Sequence, residues 1–274
     1  KKNIKLPTVK YLVMFGAPVS PKIHKMWKNI LVNGTTYTPY GATECLPITC
    51  ISGTQLEGYK TKENIAGAGT CVGKPVQNVN IKIIHQSDNV IESINDTHDT
   101  EKYEIGEIIV QSEVATRSYF NLPSQTKMAK IKDNENFWHR MGDLGYFDEE
   151  GNIWFCGRCS HKVMIAGEIH SPIQSEAIFN NDPQVKRSAL IPYGEFSAIV
   201  IEPQSLLKSY RLFNHSFKNH LLKLAIQHSK TNHIKKIFFK KEFPVDIRHN
   251  IKIDRIKLKK EFQDRPRKVQ NDHR

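Results

Sequence analysis

Short apolar runs broken by Gly, Pro and Asn-Gly pairs set the rhythm of the chain. Residues 10–15 (KYLVMF) form one such run and stop at Gly16-Ala17-Pro18, which predicts a buried strand running into a loop. Over residues 19–32 the apolar positions Ile23, Met26, Trp27, Ile30 and Leu31 repeat at helical spacing, with Ser20-Pro21 as N-cap and N1 and Asn33-Gly34 as the stop. Residues 35–38 are β-prone and lead into Pro39-Tyr40-Gly41-Ala42-Thr43-Glu44. Residues 79–85 (VNIKIIH) and 107–111 (EIIVQ) predict strands on either side of a polar loop. Residues 137–141 and 152–156 flank the acidic turn Asp148-Glu149-Glu150-Gly151, which predicts a β-hairpin.

After Arg158 the rhythm changes. Strand-like runs at 163–165, 189–192, 198–201 and 235–239 alternate with helical patterns at 173–179, 213–228 and 253–262, the mark of a small α/β domain. The expected fold class is α/β (α+β): a larger, β-rich part over 1–157, a connection at 158–161, and a small unit over 162–274. With 39% apolar and 25% charged residues in 274, the chain can bury a proper core. It contains no run of 18 apolar residues, so no transmembrane helix is expected.

Charge sharpens the division. Residues 205–274 hold 19 basic and 6 acidic side chains, a net +13, against +12 for the whole chain, so the first 204 residues are close to neutral. A near-neutral body with a basic C-terminal segment does not suit a general nucleic-acid binder. The five cysteines, Cys45, Cys50, Cys71, Cys156 and Cys159, are sparse and odd in number, which suggests reduced thiols and a cytoplasmic location. Cys156 and Cys159 have metal-ligand spacing but no second pair follows, so no zinc site is expected.

Four segments carry a resemblance in their order and spacing: Phe15-Gly-Ala-Pro-Val-Ser20, Tyr40-Gly-Ala-Thr-Glu44, Gly142-Asp-Leu-Gly-Tyr146 continuing to Gly157-Arg158, and Asn250-Ile-Lys-Ile-Asp-Arg255. Together they resemble the adenylate-forming superfamily of acyl-CoA synthetases, luciferases and peptide-synthetase adenylation domains. TPYGATECLPIT, GRCSHKV and PVDIRHNIKI look most like its olefin-pathway β-lactone synthetase branch and nearby fatty-acid ligases. The resemblance implies that 1–157 is the C-terminal part of an AMP-binding domain, 158–161 a hinge and 162–274 a small mobile domain. It implies activation of a carboxylic acid, of fatty or 3-hydroxy fatty type, by ATP with Mg²⁺. CoA enters only if the second step is thioester formation rather than lactone closure.

The site residues follow by the same resemblance. Thr43 would touch the α-phosphate, Glu44 would hold Mg²⁺ and Tyr40 and Gly41 would sit at the adenine. Gly16, Ala17 and Pro18 would form the loop between adenine and acyl pocket. Asp143 would accept from the ribose hydroxyls, since a carboxylate can accept two hydrogen bonds at once. Arg158 would reach the nucleotide, and Lys252 would bridge carboxylate and α-phosphate.

This chain departs from the family pattern in three places. Ile251 stands where Gly usually precedes the lysine, Ser160 where an acid marks the hinge, and Gly167-Glu168-Ile169 where Gly-x-Arg is usual. These departures suit ring closure, which needs no thiol. The family's Ser/Thr/Gly-rich phosphate loop has no counterpart, and Gly67-Ala-Gly-Thr-Cys-Val-Gly-Lys74 does not replace it: the spacing puts Ala68 where the first Gly belongs, and Pro75 follows the lysine. The chain thus reads as the C-terminal half to two-thirds of a synthetase, with an N-terminal half as the expected partner. Two readings compete: a degenerate relative serving as a binding module, and a nucleic-acid binder using RPRKVQNDHR at 265–274. Nothing specific supports a membrane surface.

Overall fold

A computed structural model describes residues 4–16, 19–204, 210–245 and 253–263. The chain divides into two compact units, Lys1–Lys162 and Val163–Arg274. In the first unit the elements run β1 (Tyr11–Val13), α1 (Pro21–Lys28), β2 (Thr35–Ala42), β3 (Cys45–Ser52), α2 (Tyr59–Ile65), β4 (Thr70–Pro75), β5 (Val79–Ile84), β6 (Gly106–Ser112), α3 (Pro123–Ala129), β7 (Lys130–Asp133), β8 (Asn136–Phe147) and β9 (Ile153–Arg158). Eight strands lie in the order β1-β2-β3-β4-β9-β8-β6-β5, and β7 pairs with β8.

Cys45, Ile48, Val72, Ile108, Val110 and Ile153 form one buried cluster of this sheet, and Ile84, Ile91, Ile109, Ile131 and Trp138 a second. β1 pairs with β2 in parallel, whereas the other pairings of this sheet are antiparallel. Hydrophobicity alone predicts a buried β1. Instead Tyr11 is 70%, Val13 52% and Phe15 67% exposed, because among the described residues β1 has a neighbour on one side only.

The second unit holds β10 (Val163–Ile165), β11 (Glu168–His170), α4 (Pro172–Asn180), β12 (Val185–Tyr193), β13 (Phe196–Pro203), α5 (Tyr210–Gln227), β14 (Ile234–Phe239) and α6 (Arg255–Gln263). β12, β13 and β14 make a three-stranded sheet. Leu190, Ile199 and Ile201 pack on one side with Phe179, Phe217 and Leu221. Ala189, Ile191 and Val200 pack on the other with Leu258 and Phe262. Helices thus cover both faces, which is why 198–201 (AIVI) is continuously apolar rather than alternating. α4 starts at Ser171, whose side chain accepts from the Gln174 amide, with Pro172 next, as a helix start prefers.

The β8–β9 hairpin is fixed at its turn by Asp148. Its Oδ1 accepts from the amides of Glu150 (2.9 Å) and Asn152 (2.8 Å). Its Oδ2 accepts from Trp154 Nε1 and Asn152 Nδ2, both at 2.9 Å. Both Asp148 and Trp154 are buried, so removing the carboxylate would leave donors without partners in a dry site. Asp148→Ala should therefore lower the unfolding free energy by about 2–4 kcal/mol in urea denaturation, and Asp148→Asn by less. An alanine variant as stable as wild type would mean that the turn is held by its backbone alone.

Candidate functional site

The hairpin sets two charged groups opposite each other. Register pairs Asp143 on β8 with Arg158 on β9. Gly142, at φ +64°, turns the backbone immediately before Asp143, a conformation that side-chain-bearing residues resist. Asp143 is buried, and its Oδ2 accepts a 2.7 Å hydrogen bond from the Tyr40 hydroxyl. Arg158 Nη1 lies 3.1 Å from Oδ1 but donates to the Met141 carbonyl, also at 3.1 Å. Asp143 Oδ1 is therefore a buried acceptor met by the Arg158 ion pair alone, with lone-pair capacity left for a further donor. Burial raises the Asp143 pKa to about 6, against the opposing pull of Arg158 and the Tyr40 hydrogen bond. Burial, with the charge of Asp143, also holds the Tyr40 phenol well above its usual range.

A second group of residues sits on the β2–β3 hairpin. Ala42 pairs with Cys45, so Thr43 and Glu44 form the turn between the strands. Gly41 precedes it where any Cβ would lie 2.5 Å from the Cys45 carbonyl. Thr43 is exposed and Glu44 half-buried. Tyr119 donates to Glu44 Oε1 at 2.8 Å, and the Thr116 amide donates to the Glu44 carbonyl at 2.7 Å. Burial pushes the Glu44 carboxyl up, but Tyr119, a backbone amide and the charges of His139 and Arg158 together hold it below its usual value. Burial with the Glu44 contact raises Tyr119 to about 12. Lys130, half-buried nearby, is lowered by desolvation to about 8. His139 is lowered by burial and by Lys130 to about 4.

The structure thus joins Tyr40, Asp143 and Arg158 by contact. Glu44 lies within electrostatic reach of Arg158. Gly16 follows β1 as Tyr40–Glu44 close β2, so both loops leave the same end of a parallel pair, where ligands commonly bind in α/β sheets. Tyr40 makes its close contacts with Asp143 and with the Phe155 ring, at 5.6 Å. Ala17, Pro18 and Lys252 lie outside the described residues. Sequence reasoning missed Tyr119, Lys130 and the buried Arg140–Glu107 pair, joined at 3.1 and 2.6 Å. The partner of Tyr119 lies 75 residues away and that of Arg140 33, so local pattern carried no signal.

A cleft of about 560 Å³ borders this hairpin, lined by Gln86, Glu107, Arg140, Gly142, Arg158 and His161 among others. Among the described residues no group of three or more His, Cys, Asp or Glu side chains could hold a metal ion. Glu44 is an ionised oxygen donor by itself. That fits Mg²⁺, which commonly takes one or two carboxylates with substrate phosphates and water rather than a protein cage. No described helix is long and apolar enough to cross a membrane.

The raised pKa of Asp143 links stability to pH. The group favours the proton in the folded state, so its contribution is complete below about pH 4 and is lost as pH rises through about 6. Asp143→Asn removes the buried charge and keeps an acceptor for Tyr40. It should be more stable than wild type at pH 7.5, by up to about 3 kcal/mol, with the advantage vanishing towards pH 4. Urea denaturation at several pH values reads this directly, and an Asn variant weaker at pH 7.5 would show that the Arg158 attraction outweighs burial.

Comparison with known proteins agrees with the family resemblance. The AMP-binding enzyme family profile matches residues 1–120. An olefin beta-lactone synthetase of Xanthomonas campestris is 38% identical over 266 residues, covering 92% of this chain and 47% of the relative. The chain therefore spans about half the length of that relative. Among solved structures, the amide bond synthetase McbA from Marinactinospora thermotolerans superposes with a TM-score of 0.71 at 19% identity, covering 92% of this chain and 47% of that one. The o-succinylbenzoate CoA synthetase of Bacillus subtilis, in complex with its acyl-adenylate intermediate, gives 0.70 at 22% identity, covering 94% and 47%. The two structures share the fold, and the sequence matches carry the relationship: this chain belongs to the AMP-binding, adenylate-forming enzyme family.

Proposed function

We propose that the chain forms the nucleotide-holding half of an AMP-forming acid ligase, which activates a fatty or 3-hydroxy fatty acid as its acyl-adenylate. The observation that carries this reading is Asp143: a buried carboxylate with one oxygen held by Tyr40 and the other met only by the Arg158 guanidinium. Two neighbouring ribose hydroxyls are the ligand chemistry that satisfies such a group. Thr43 donates its hydroxyl to an α-phosphate oxygen, and Arg158 offsets charge beside the ribose. Glu44 would hold Mg²⁺, which when bound supplies charge neutralisation on the phosphates.

In the first step the substrate carboxylate oxygen bonds to the α-phosphorus, and the bond to the bridging oxygen breaks to release pyrophosphate. Lys252 meets the charge that develops at that phosphorus. In the second step the 3-hydroxyl oxygen attacks the acyl carbonyl, giving up its proton as AMP leaves, and closes a β-lactone. Ser160 and Glu168-Ile169 in place of the usual hinge acid and arginine support closure over transfer to CoA, as does the likeness to the Xanthomonas relative. Residues 158–161 act as the hinge between the AMP-binding part and the small domain. The exposed apolar residues of β1 and the half-length coverage support pairing with a further segment that bears the phosphate loop.

The test is pyrophosphate–ATP exchange that depends on a 3-hydroxy fatty acid, with the chain joined to such a segment. Asp143→Asn and Glu44→Gln should weaken nucleotide binding as well as exchange. Lys252→Ala should cut exchange about 10²–10³-fold with ATP affinity nearly unchanged. Exchange within about threefold of wild type in the Lys252 variant would move the role to another cation. No exchange in the wild type would favour a binding module that has lost catalysis.

A further inference from the structure

We propose that Arg255, locked to Glu176, is a positioning residue for the acid-activation step: the pair anchors the stretch of chain next to Lys252. The proposal rests on the acid-ligase reading, in which Lys252 meets the charge that develops at the α-phosphorus, and it names what sets the starting point of that lysine. Lys252 lies outside the described residues, but Ile253 follows it directly in the chain. Consecutive Cα atoms across a trans peptide are about 3.8 Å apart, so whatever fixes Ile253 limits where Lys252 can start from.

Ile253 is fixed from several directions. It pairs with Val245 in an antiparallel bridge, and the next amide, of Asp254, donates to the Pro244 carbonyl at 2.9 Å. The two stems that bracket residues 246–252 in the sequence are thus joined to each other. The Ile253 side chain packs against the cluster of Phe243, Leu258 and Phe262. Upstream, the Phe243 amide donates at 3.2 Å to Glu202, a buried carboxylate on β13 that Arg187 also pairs. Downstream, Arg255 forks onto Glu176 of α4, with Nη1 donating to Oε1 at 2.6 Å and Nη2 to Oε2 at 2.8 Å. Oε1 accepts from the Leu190 amide of β12 as well, at 2.8 Å. The two side chains of the pair are only 17% and 9% exposed. A buried ion pair adds little net stability over apolar residues of similar volume, whereas a planar guanidinium on a carboxylate holds one geometry. The same fork settles what Arg255 does not do: its charge is engaged by Glu176, so it is no substitute for Lys252 at a phosphate.

The test is acid-dependent pyrophosphate–ATP exchange, with the chain joined to the segment that bears the phosphate loop. Removing Arg255 alone leaves Glu176 as a buried unpaired charge and can unfold the second unit. The main variant is therefore the double change Arg255→Met with Glu176→Gln, which keeps an acceptor for the Leu190 amide. It should lower kcat of exchange about tenfold or more, since a misplacement of about 1 Å can cost about 10²-fold, while KM for ATP and for the acid stays within about twofold. Arg255→Lys keeps the charge without the fork and should recover only part of the rate. Lactone closure from supplied acyl-adenylate, in which the reading gives Lys252 no part, should keep its wild-type rate. In a Lys252→Ala background the double change should cost nothing further, because residues that act through one group are not additive. A full further loss in that background, or lactone closure slowed as much as exchange, would show that the pair only supports the fold and would overturn the proposal. Exchange by the double variant within about twofold of wild type, while Lys252→Ala loses it, would also overturn the proposal and leave the ligase reading standing. If wild type shows no exchange, or Lys252→Ala leaves exchange unchanged, the reading beneath fails and the proposal falls with it.

Discussion

A carboxylate held out of water by its own hairpin is the constraint on which the first unit depends. Asp143 is buried on β8 with its pKa raised to about 6, a state that costs stability at neutral pH. The surrounding structure over-determines it. Asp148 gathers four donors at the turn of the same hairpin. Arg140, three residues before Asp143, is locked to Glu107 on β6 and donates to the Asn89 and Met128 carbonyls at 2.8 and 3.2 Å. A strained group bound by rigid neighbours keeps its geometry before any ligand arrives, which is how binding sites trade stability for preorganisation.

Charge then alternates away from that point. Asp143 faces Arg158, Arg158 is felt by Glu44, and Glu44 is felt by Lys130 and His139. These groups come from few elements: β8 carries Asp143 and His139, and the β2–β3 turn carries Thr43 and Glu44. Two hairpins therefore deliver most of the candidate site. On the proposed reading, Asp143, Arg158 and Glu44 would offer acceptor, donor and acceptor in series to a ribose, a phosphate and a divalent ion.

Much of this was legible in the sequence because it is local. The Asp148-Glu149-Glu150-Gly151 turn announced the β8–β9 hairpin, and the alternation after Arg158 announced the second unit with helices over its sheet. The candidate residues were reached through motifs a few residues long. What stayed hidden depends on partners distant in sequence. Tyr40 reads as a ring for stacking, and only the fold brings its hydroxyl to Asp143, 103 residues on. Lys130 reads as one lysine among many, and only the fold sets it half-buried by Glu44. β1 reads as a core strand, and only its position in the sheet leaves it exposed.

The most direct test of the central claim is the pKa of the Asp143 carboxyl itself, followed by carbon-13 NMR in the free chain and with AMP. Ribose hydroxyls that donate to the charged form stabilise it. The account predicts a value near 6 in the free chain that falls clearly when AMP is added. A value that AMP leaves unchanged, while AMP demonstrably binds, would place the nucleotide elsewhere and contradict the account.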